Sequence, residues 1–470
     1  MILESFFTFL PALLAGFGLA HLLWKSSGNA WSLGLKFFLG VGLGLGITSC
    51  LYFFRLVIFP GQGGYLSIEL GFLAAVLIAV ILKRRISLDV PFQPPSISWM
   101  SILFALGTLF ALYSAMSYSL AKVRNSPHGD YDAQAIWNLR ARSIYRLGDA
   151  WENAFSPEIN RNFHMDYPLL VPLNVVGGWN TLGEEVLRIP AILSMLFLYA
   201  AAGILFCLLA YLRSISQASL AAMILLTTPL LLLMTSFQSA DIAIAYYFLS
   251  VTALLILFLI EDNAQFLFLA GMMAALAAWA KNEGIPFLVI TILFTSWILG
   301  RQNGLKKIRG FLAGSFLPVA TILLFKIHVP VSRGNDLFAG NGLMTILSKI
   351  ADPSRYVSII TRLVSEIIHV GEWQFSIVVI MAVYGLFVGS KRSLEYRAIS
   401  RSVALLPLAQ LAVYFGIYLV TPHDLVWHMN YSMSRLLLHL FPAALLLFFI
   451  SINTPEDVFE LVPKNNKGVQ

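Results

Sequence analysis

Charge is what this chain has least of: 12% of its 470 residues are Asp, Glu, Lys or Arg, against roughly 25% in soluble domains. The hydrophobic share is 58% and the mean hydropathy +0.79, more apolar surface than a water-soluble fold of this length covers. A soluble globular protein is excluded, and a polytopic membrane protein is what remains. Cysteine is nearly absent. Cys50 and Cys207 both fall inside apolar stretches, which excludes a disulfide framework and a cysteine metal knuckle. The N-terminus, Met1-Ile2-Leu3-Glu4, lacks the basic n-region of a signal peptide, so the first apolar stretch reads as an uncleaved span. No strand-rich soluble domain, low-complexity tract or internal repeat stands out, and no glycine-rich phosphate loop sits at a strand-to-helix junction. Acidic excess is missing too, with a net charge of +7 and a pI near 9.3. The basic residues cluster in short loops between apolar runs. They read as a topology signal, and no nucleic-acid partner is expected.

What is present is a series of apolar runs. A helix needs roughly 20 apolar residues to cross the hydrocarbon core, which gives about thirteen spans. Their limits are 5–23, 33–58, 65–82, 98–119, 186–211, 218–236, 241–260, 265–280, 285–300, 309–327, 373–390, 402–420 and 435–452. Gly40, Gly42, Gly44 and Gly46 fit close helix packing. Three basic clusters, Lys83-Arg84-Arg85, then Arg301 with Lys306, Lys307 and Arg309, then Lys391, Arg392, Arg397 and Arg401, are expected on the cytoplasmic side. They agree on an extracytoplasmic N-terminus and a cytoplasmic C-terminus. Only Glu261-Asp262-Asn263, an acidic loop on the cytoplasmic side, goes weakly against this, and acids count little in the rule. The expected location is a plasma or inner membrane.

With that orientation, residues 120–185, 328–372 and 421–434, the turn at Asp241 and the segment at Lys281 all emerge on one extracytoplasmic face. Between Asp132 and Leu147, Ile136, Trp137, Ile144 and Leu147 recur at helical spacing with Arg140, Arg142 and Arg146 among them. That pattern predicts a helix in the headgroup plane with its arginines reaching lipid phosphates. Residues 343–369, broken at Asp352-Pro353, predict a second amphipathic segment. The fold class is therefore an all-α polytopic membrane protein with interfacial helices in its outer loops.

The polar residues on that face are the candidates for chemistry. Asp130 and Asp132, in Gly129-Asp130-Tyr131-Asp132, read either as a helix N-cap or as a general base at the interface. Asp166, in His164-Met165-Asp166-Tyr167-Pro168, reads as a turn residue or as a second acid. Asp241 opens an apolar run after Ser239-Ala240 and is a cap or an acid facing into the bundle. Lys281, Arg188 and Arg435 each stand at the outer end of a span, where snorkelling is the ordinary explanation. Arg435 follows Thr421-Pro422-His423-Asp424-Leu425-Val426-Trp427-His428, in which Asp424 and His428 are spaced to share a helix face. Arginine grips a phosphate through two parallel hydrogen bonds. A zinc site from His164, His423 and His428 has no ligand spacing to support it.

Taken in order, Tyr131-Asp132-Ala133 with Ile136-Trp137, His164-Met165-Asp166-Tyr167-Pro168, Ala240-Asp241, Lys281-Asn282-Glu283-Gly284, the Thr421–His428 segment and Ser434-Arg435-Leu436 resemble bacterial integral-membrane glycosyltransferases of the GT-C type. The similarity is to the protein O-mannosyltransferase and aminoarabinose transferase branch and covers residues 98–452, with 1–97 an N-terminal addition and 453–470 a cytoplasmic tail. The resemblance implies a polyprenyl-phosphate-linked sugar donor and a glycan, lipid or protein acceptor at the outer face. In that family the first outer loop supplies an essential acid, often as Asp-Glu. By position the role falls on Asp132, with Asp130 as understudy. Ala133 stands where Glu follows, which leaves Asp166 as the second acid. Lys281 and Arg435 are implied to hold the donor phosphate, with Asp241, Glu283, His164, Tyr167, His423, Asp424 and His428 lining the substrate site. No cofactor is implied, and a divalent metal stays open. The rival readings are a transporter or lipid-glycan flippase, expected to carry midplane charges on broken helices and repeated halves, and a non-catalytic scaffold.

Overall fold

The computed structural model of the chain describes residues 2–24, 29–59, 63–83, 98–156, 164–329, 342–391 and 394–459. Among them every regular element is a helix. Among the described residues nine helices are long and apolar enough to cross a membrane, up to eleven if each of two bent pairs is one crossing. The bent pairs are Ile215–Thr227 with Pro229–Phe237, at 55°, and Pro353–Glu372 with Ile377–Val388, at 84°. Two of the thirteen expected spans are shorter helices, Leu10–Leu23 and Ala264–Ala280. The second has 17 residues, at the lower limit of the roughly 17–25 that cross a hydrocarbon core.

Burial sorts the helices into layers. In the Asp241–Glu261 helix 94% of the apolar window lies inside the protein, against 17% in Tyr65–Leu82 and 22% in Trp99–Asn125. A helix apolar on every side belongs either in a core or against lipid, and the chain uses both. The glycines of the Ala30–Ile58 helix let backbones meet: a Cβ on Gly44 would lie 1.9 Å from the Ala12 carbonyl oxygen in the Leu10–Leu23 helix. Across the same helix, the Tyr246 hydroxyl donates to the Phe38 carbonyl (2.8 Å) and Tyr247 to that of Gly42 (2.9 Å). The core helix that begins at Asp241 is thereby fixed in height.

Polar side chains gather at the two ends of the bundle. One end carries Lys307 on Asp262 (2.6 Å), Tyr211 on Glu261 (3.0 Å), and Arg213 donating to the Ile452 carbonyl (2.7 Å). The other end carries the acids singled out above. Of the basic clusters, Arg84, Arg85 and Arg392 lie outside the described residues, as does the tail from 460.

The described residues of the segment 120–185 are folded. The Trp99–Asn125 helix is followed by a π-helical turn Ala133–Trp137, a helix Asn138–Leu147, a 3-10 segment Gly148–Phe155 and a helix Leu170–Leu182. The helix expected here forms as Asn138–Leu147, but Arg140 does not face outward as expected. Ile136, Trp137 and Ile144 are buried, and Arg140 is completely so. Arg140 donates to the carbonyls of His164 (3.1 Å) and Tyr167 (3.2 Å), while Arg142 and Arg146 share Glu185. Arg140 is held by protein, because the turn before the Leu170–Leu182 helix supplies its acceptors, while Glu185, beyond that helix, pairs with the other two. The second expectation fares better. Leu343–Ile350 and Pro353–Ile368 form two helices around Asp352, which caps the second by accepting from the Ser354 amide at 2.9 Å. Leu343, Met344, Val357 and Ile360 remain exposed. Lys349 and Arg355 tie the pair to the carbonyls of Thr421, Tyr418 and Leu419.

Candidate functional site

The site grows from a corner at Phe237-Gln238. Gln238 takes a left-handed conformation, φ +57°, which ends one helix so that Asp241 can open the next. Its side chain donates to the Pro127 carbonyl at 3.1 Å and accepts from Asn138 at 2.7 Å. Gly129, at φ +75°, sits so close that a Cβ would lie 3.0 Å from the Phe237 carbonyl oxygen. The loop after the Trp99–Asn125 helix is thus clamped to this corner, and Asp132 is carried to Asp241.

Asp241 is the centre of the arrangement and is buried. Its Oδ1 accepts from Lys281 Nζ at 2.8 Å and from His439 Nε2 at 2.8 Å. Its Oδ2 accepts from Ser239 Oγ at 2.8 Å and from Arg435 Nη2 and Nε at 2.6 and 3.1 Å. The same Arg435 Nη2 lies 2.6 Å from Asp132 Oδ2. Arg435 and His439 stand four residues apart and so share one helix face. Lys281 stands in the extended link between the helices Ala264–Ala280 and Gly284–Arg301, and Gly284 keeps that hairpin tight, since a Cβ there would meet the Ala277 backbone at 2.2 Å. Lys281 also pairs with Glu283 Oε1 at 2.8 Å.

Electrostatics follows from this geometry. Burial pushes the Lys281 ammonium toward losing its proton, but Asp241 and Glu283 outweigh it and hold its pKa above the ordinary lysine value. Burial likewise pushes Glu283 up, and the charge of Lys281, with His439 beside it, brings the carboxyl below its ordinary range. Both remain ionised at neutral pH.

Exposure separates the roles of the acids. The Asp241 side chain is 0% exposed and that of Asp132 27%. Asp132 makes no capping bond with its side chain, so the cap reading does not explain it. Asp166 joins the cluster from another side: its Oδ2 accepts from Asn282 at 2.6 Å, within the same link as Lys281, and Lys326 Nζ lies 3.7 Å away. Burial lowers the pKa of Arg140 behind this turn to about 10, against the pull of Asp166 and Tyr167. Asp130 is exposed and touches the corner through its amide, which donates to Phe237 at 3.4 Å.

The remaining candidates have local partners. His164 stacks on Tyr167 (4.5 Å between ring centres), and Tyr167 lies 5.5 Å from Trp137. His423 and His428 are 5.7 Å apart, with His428 Nδ1 on the Thr421 hydroxyl at 2.8 Å. Asp424 is a helix cap, accepting from the Trp427 amide at 2.8 Å. Among the described residues no group of three or more His, Cys, Asp or Glu could hold a metal ion, so the zinc reading of His164, His423 and His428 has no geometry behind it.

Sequence reasoning missed His439, whose Nδ1 meets the Tyr414 hydroxyl at 3.2 Å, as well as Lys326 and Gln410, which donates to the Glu283 carbonyl at 3.1 Å. The available signal for His439 was its place four residues beyond Arg435 in an otherwise apolar run, where an ionisable side chain is a site candidate by default. No family model matches this chain, and neither do curated proteins or solved structures.

Proposed function

We propose that this protein is a membrane glycosyltransferase with a GT-C-like core, moving a sugar from a polyprenyl-phosphate donor to an acceptor hydroxyl at the extracytoplasmic face. The proposal includes thirteen crossings, with the N-terminus outside and the C-terminus in the cytoplasm. The observation that carries it is the position of Arg435 Nη2, 2.6 Å from both Asp132 Oδ2 and Asp241 Oδ2. A half-open acid, a buried acid and two cations drawn from distant segments meet at one point.

The chemistry divides among them. The acceptor oxygen attacks the anomeric carbon and gives its proton to Asp132. The bond from that carbon to the phosphate oxygen breaks, its electron pair leaves with polyprenyl phosphate, and configuration inverts through an oxocarbenium-like transition state. Arg435 and Lys281 stabilise the charge growing on the phosphate. Phosphate is a competent leaving group, so no general acid is required. Asp241 does not react: bonded on both oxygens, it positions the two cations, with His439 and Ser239 behind it. An arriving phosphate competes with Asp132 for Arg435 and thereby frees that carboxylate for the acceptor's proton. Asp166, held by Asn282 and Lys326, is the second acid facing the acceptor side.

Transport of a lipid-linked glycan is the second reading. His439 favours it, standing about one turn beyond Arg435 in an otherwise apolar stretch of its helix, where ionisable groups often mark pathways. The discriminating experiment is Asp132→Asn. Membranes carrying the variant are expected to insert and fold the protein normally while glycan transfer is lost. Full transfer by the folded variant removes Asp132 as the base.

A further inference from the structure

Two acids are buried among the described residues, Asp241 and Glu69, at 1% and 4% exposed. Asp241 is ringed by cations. Glu69 is not, and nothing in the transfer chemistry uses it. It stands one turn into the Tyr65–Leu82 helix, whose buried residues are Tyr65, Glu69 and Val76. Only 17% of the apolar window of that helix lies inside the protein, so this carboxyl group is a large part of what the helix presses into the bundle.

Both oxygens of Glu69 are accounted for. Oε1 shares a hydrogen bond with the Tyr52 hydroxyl, and Oε2 is buried without a hydrogen-bond partner. The helices Leu10–Leu23, Ala30–Ile58 and Leu170–Leu182 pack against Tyr65–Leu82, and none of them brings a cation to this carboxyl. Leu170–Leu182 carries no titratable side chain. Leu10–Leu23 carries only His21. It lies beyond Gly18, where a Cβ would be 2.7 Å from Val76 Cγ1, and Val76 is itself two turns on from Glu69. Ala30–Ile58 carries Lys36, Cys50, Tyr52 and Arg55. Lys36 is over the Trp24 ring at 5.1 Å, toward the other end of the helix, and the Arg55 guanidinium is over the Tyr65 ring at 5.0 Å. Tyr65 in turn packs edge-on to Tyr52, 4.7 Å between ring centres.

An ionised carboxylate shielded from water with one hydroxyl for company is the costly state of this group, and neutralisation is the way out. The neutral acid keeps the bond to Tyr52 and leaves only a carbonyl-type oxygen unpaired. A proton also needs no cavity, so the shielding of Oε2 does not stand against it.

We propose that Glu69 is a proton-binding site, a carboxylic acid at neutral pH, and that docking of the Tyr65–Leu82 helix takes up one proton. This site is independent of the transferase reading.

Infrared spectra of the purified protein at neutral pH test it. Parent minus Glu69→Gln is expected to show one carboxylic-acid C=O stretch that moves in D2O. Tyr52→Phe keeps the acid but removes its hydrogen bond, and the same band is expected at higher frequency. SDS titration in mixed micelles gives the second readout. An unfolded glutamate ionises near about pH 4.3, so the parent's folding equilibrium is expected to fall about tenfold per pH unit between about pH 5 and pH 7, relative to Glu69→Gln. Lys281 and Glu283 contribute alike to both proteins and cancel in that ratio. The proposal is overturned if the parent has no carboxylic-acid band at neutral pH, if Glu69→Gln removes a carboxylate band in its place, if Tyr52→Phe leaves the acid band unmoved, or if the ratio is flat with pH.

Discussion

Asp241→Asn tests whether the buried carboxylate holds the site together. The substitution keeps the shape and removes the charge. An amide cannot serve these neighbours in either orientation. With its nitrogen in place of Oδ2 it faces Arg435 Nε and Nη2 and the Ser239 hydroxyl; in place of Oδ1 it faces Lys281 Nζ and His439 Nε2. Because the Tyr414 hydroxyl can donate to His439 Nδ1, the His439 ring keeps a donor at Nε2, so donors meet donors on both sides. Removing one partner of a buried ion pair costs about 3–5 kcal/mol. The lower end applies here, since Lys281 keeps Glu283 at 2.8 Å and Arg435 keeps Asp132 at 2.6 Å. The expected loss is therefore about 3 kcal/mol, a hundredfold or more in the folding equilibrium. The assay is SDS titration in mixed micelles followed by tryptophan fluorescence, with Asp132→Asn as the comparison. That second variant loses one partly exposed pair and is expected to cost no more than about 1 kcal/mol. An Asp241→Asn protein that unfolds at the parent's midpoint refutes the reasoning.

Helix packing and pH supply further tests. Gly44→Ala drives a methyl to within 1.9 Å of the Ala12 carbonyl oxygen and is expected to destabilise by about 1–3 kcal/mol. Gly71→Ala, with nothing within 4 Å of the new Cβ, is expected to be neutral or stabilising by up to about 1 kcal/mol; the same micelle titration reads both. Glu283, held below its ordinary range against the upward push of burial, contributes stability above an unfolded pKa of about 4.3 and loses it as pH falls through the lower folded value. Lys281, held above its ordinary value, contributes fully below about pH 10.4 and loses its share as pH rises through the folded value. Unfolding midpoints across a pH series are expected to show a plateau from this pair between about pH 5 and pH 10, with a shallower acid limb in Glu283→Gln.

The acids and cations of the site were legible because they stand at the ends of apolar runs or in the loop between them, where charge is costly enough to demand a reason. Asp132, Asp241, Lys281 and Arg435 announce themselves in this way, and the structure brings them together. Arg140 misled for a physical reason. An amphipathic stripe beside arginines looks the same in sequence whether lipid or protein covers it, and the cover comes from Leu170–Leu182, a short segment that periodicity alone leaves as loop. His439 went unread because its partner lies 198 residues away and no polar neighbour in sequence pairs with it in a motif. Asp424 shows the converse, since a residue placed beside a tempting histidine serves as a helix cap. The break of 55° between Thr227 and Pro229 lies inside one expected span, 218–236, and hydropathy averages do not register it.

The central claim is that this site consumes a lipid-phosphate sugar. Mass spectrometry of envelope lipids from cells lacking the protein, compared with the parent and with cells carrying Asp132→Asn, tests it most directly. The account predicts build-up of one polyprenyl-phosphate sugar in both the null and the variant cells. An unchanged pool of such lipids in the null cells contradicts it.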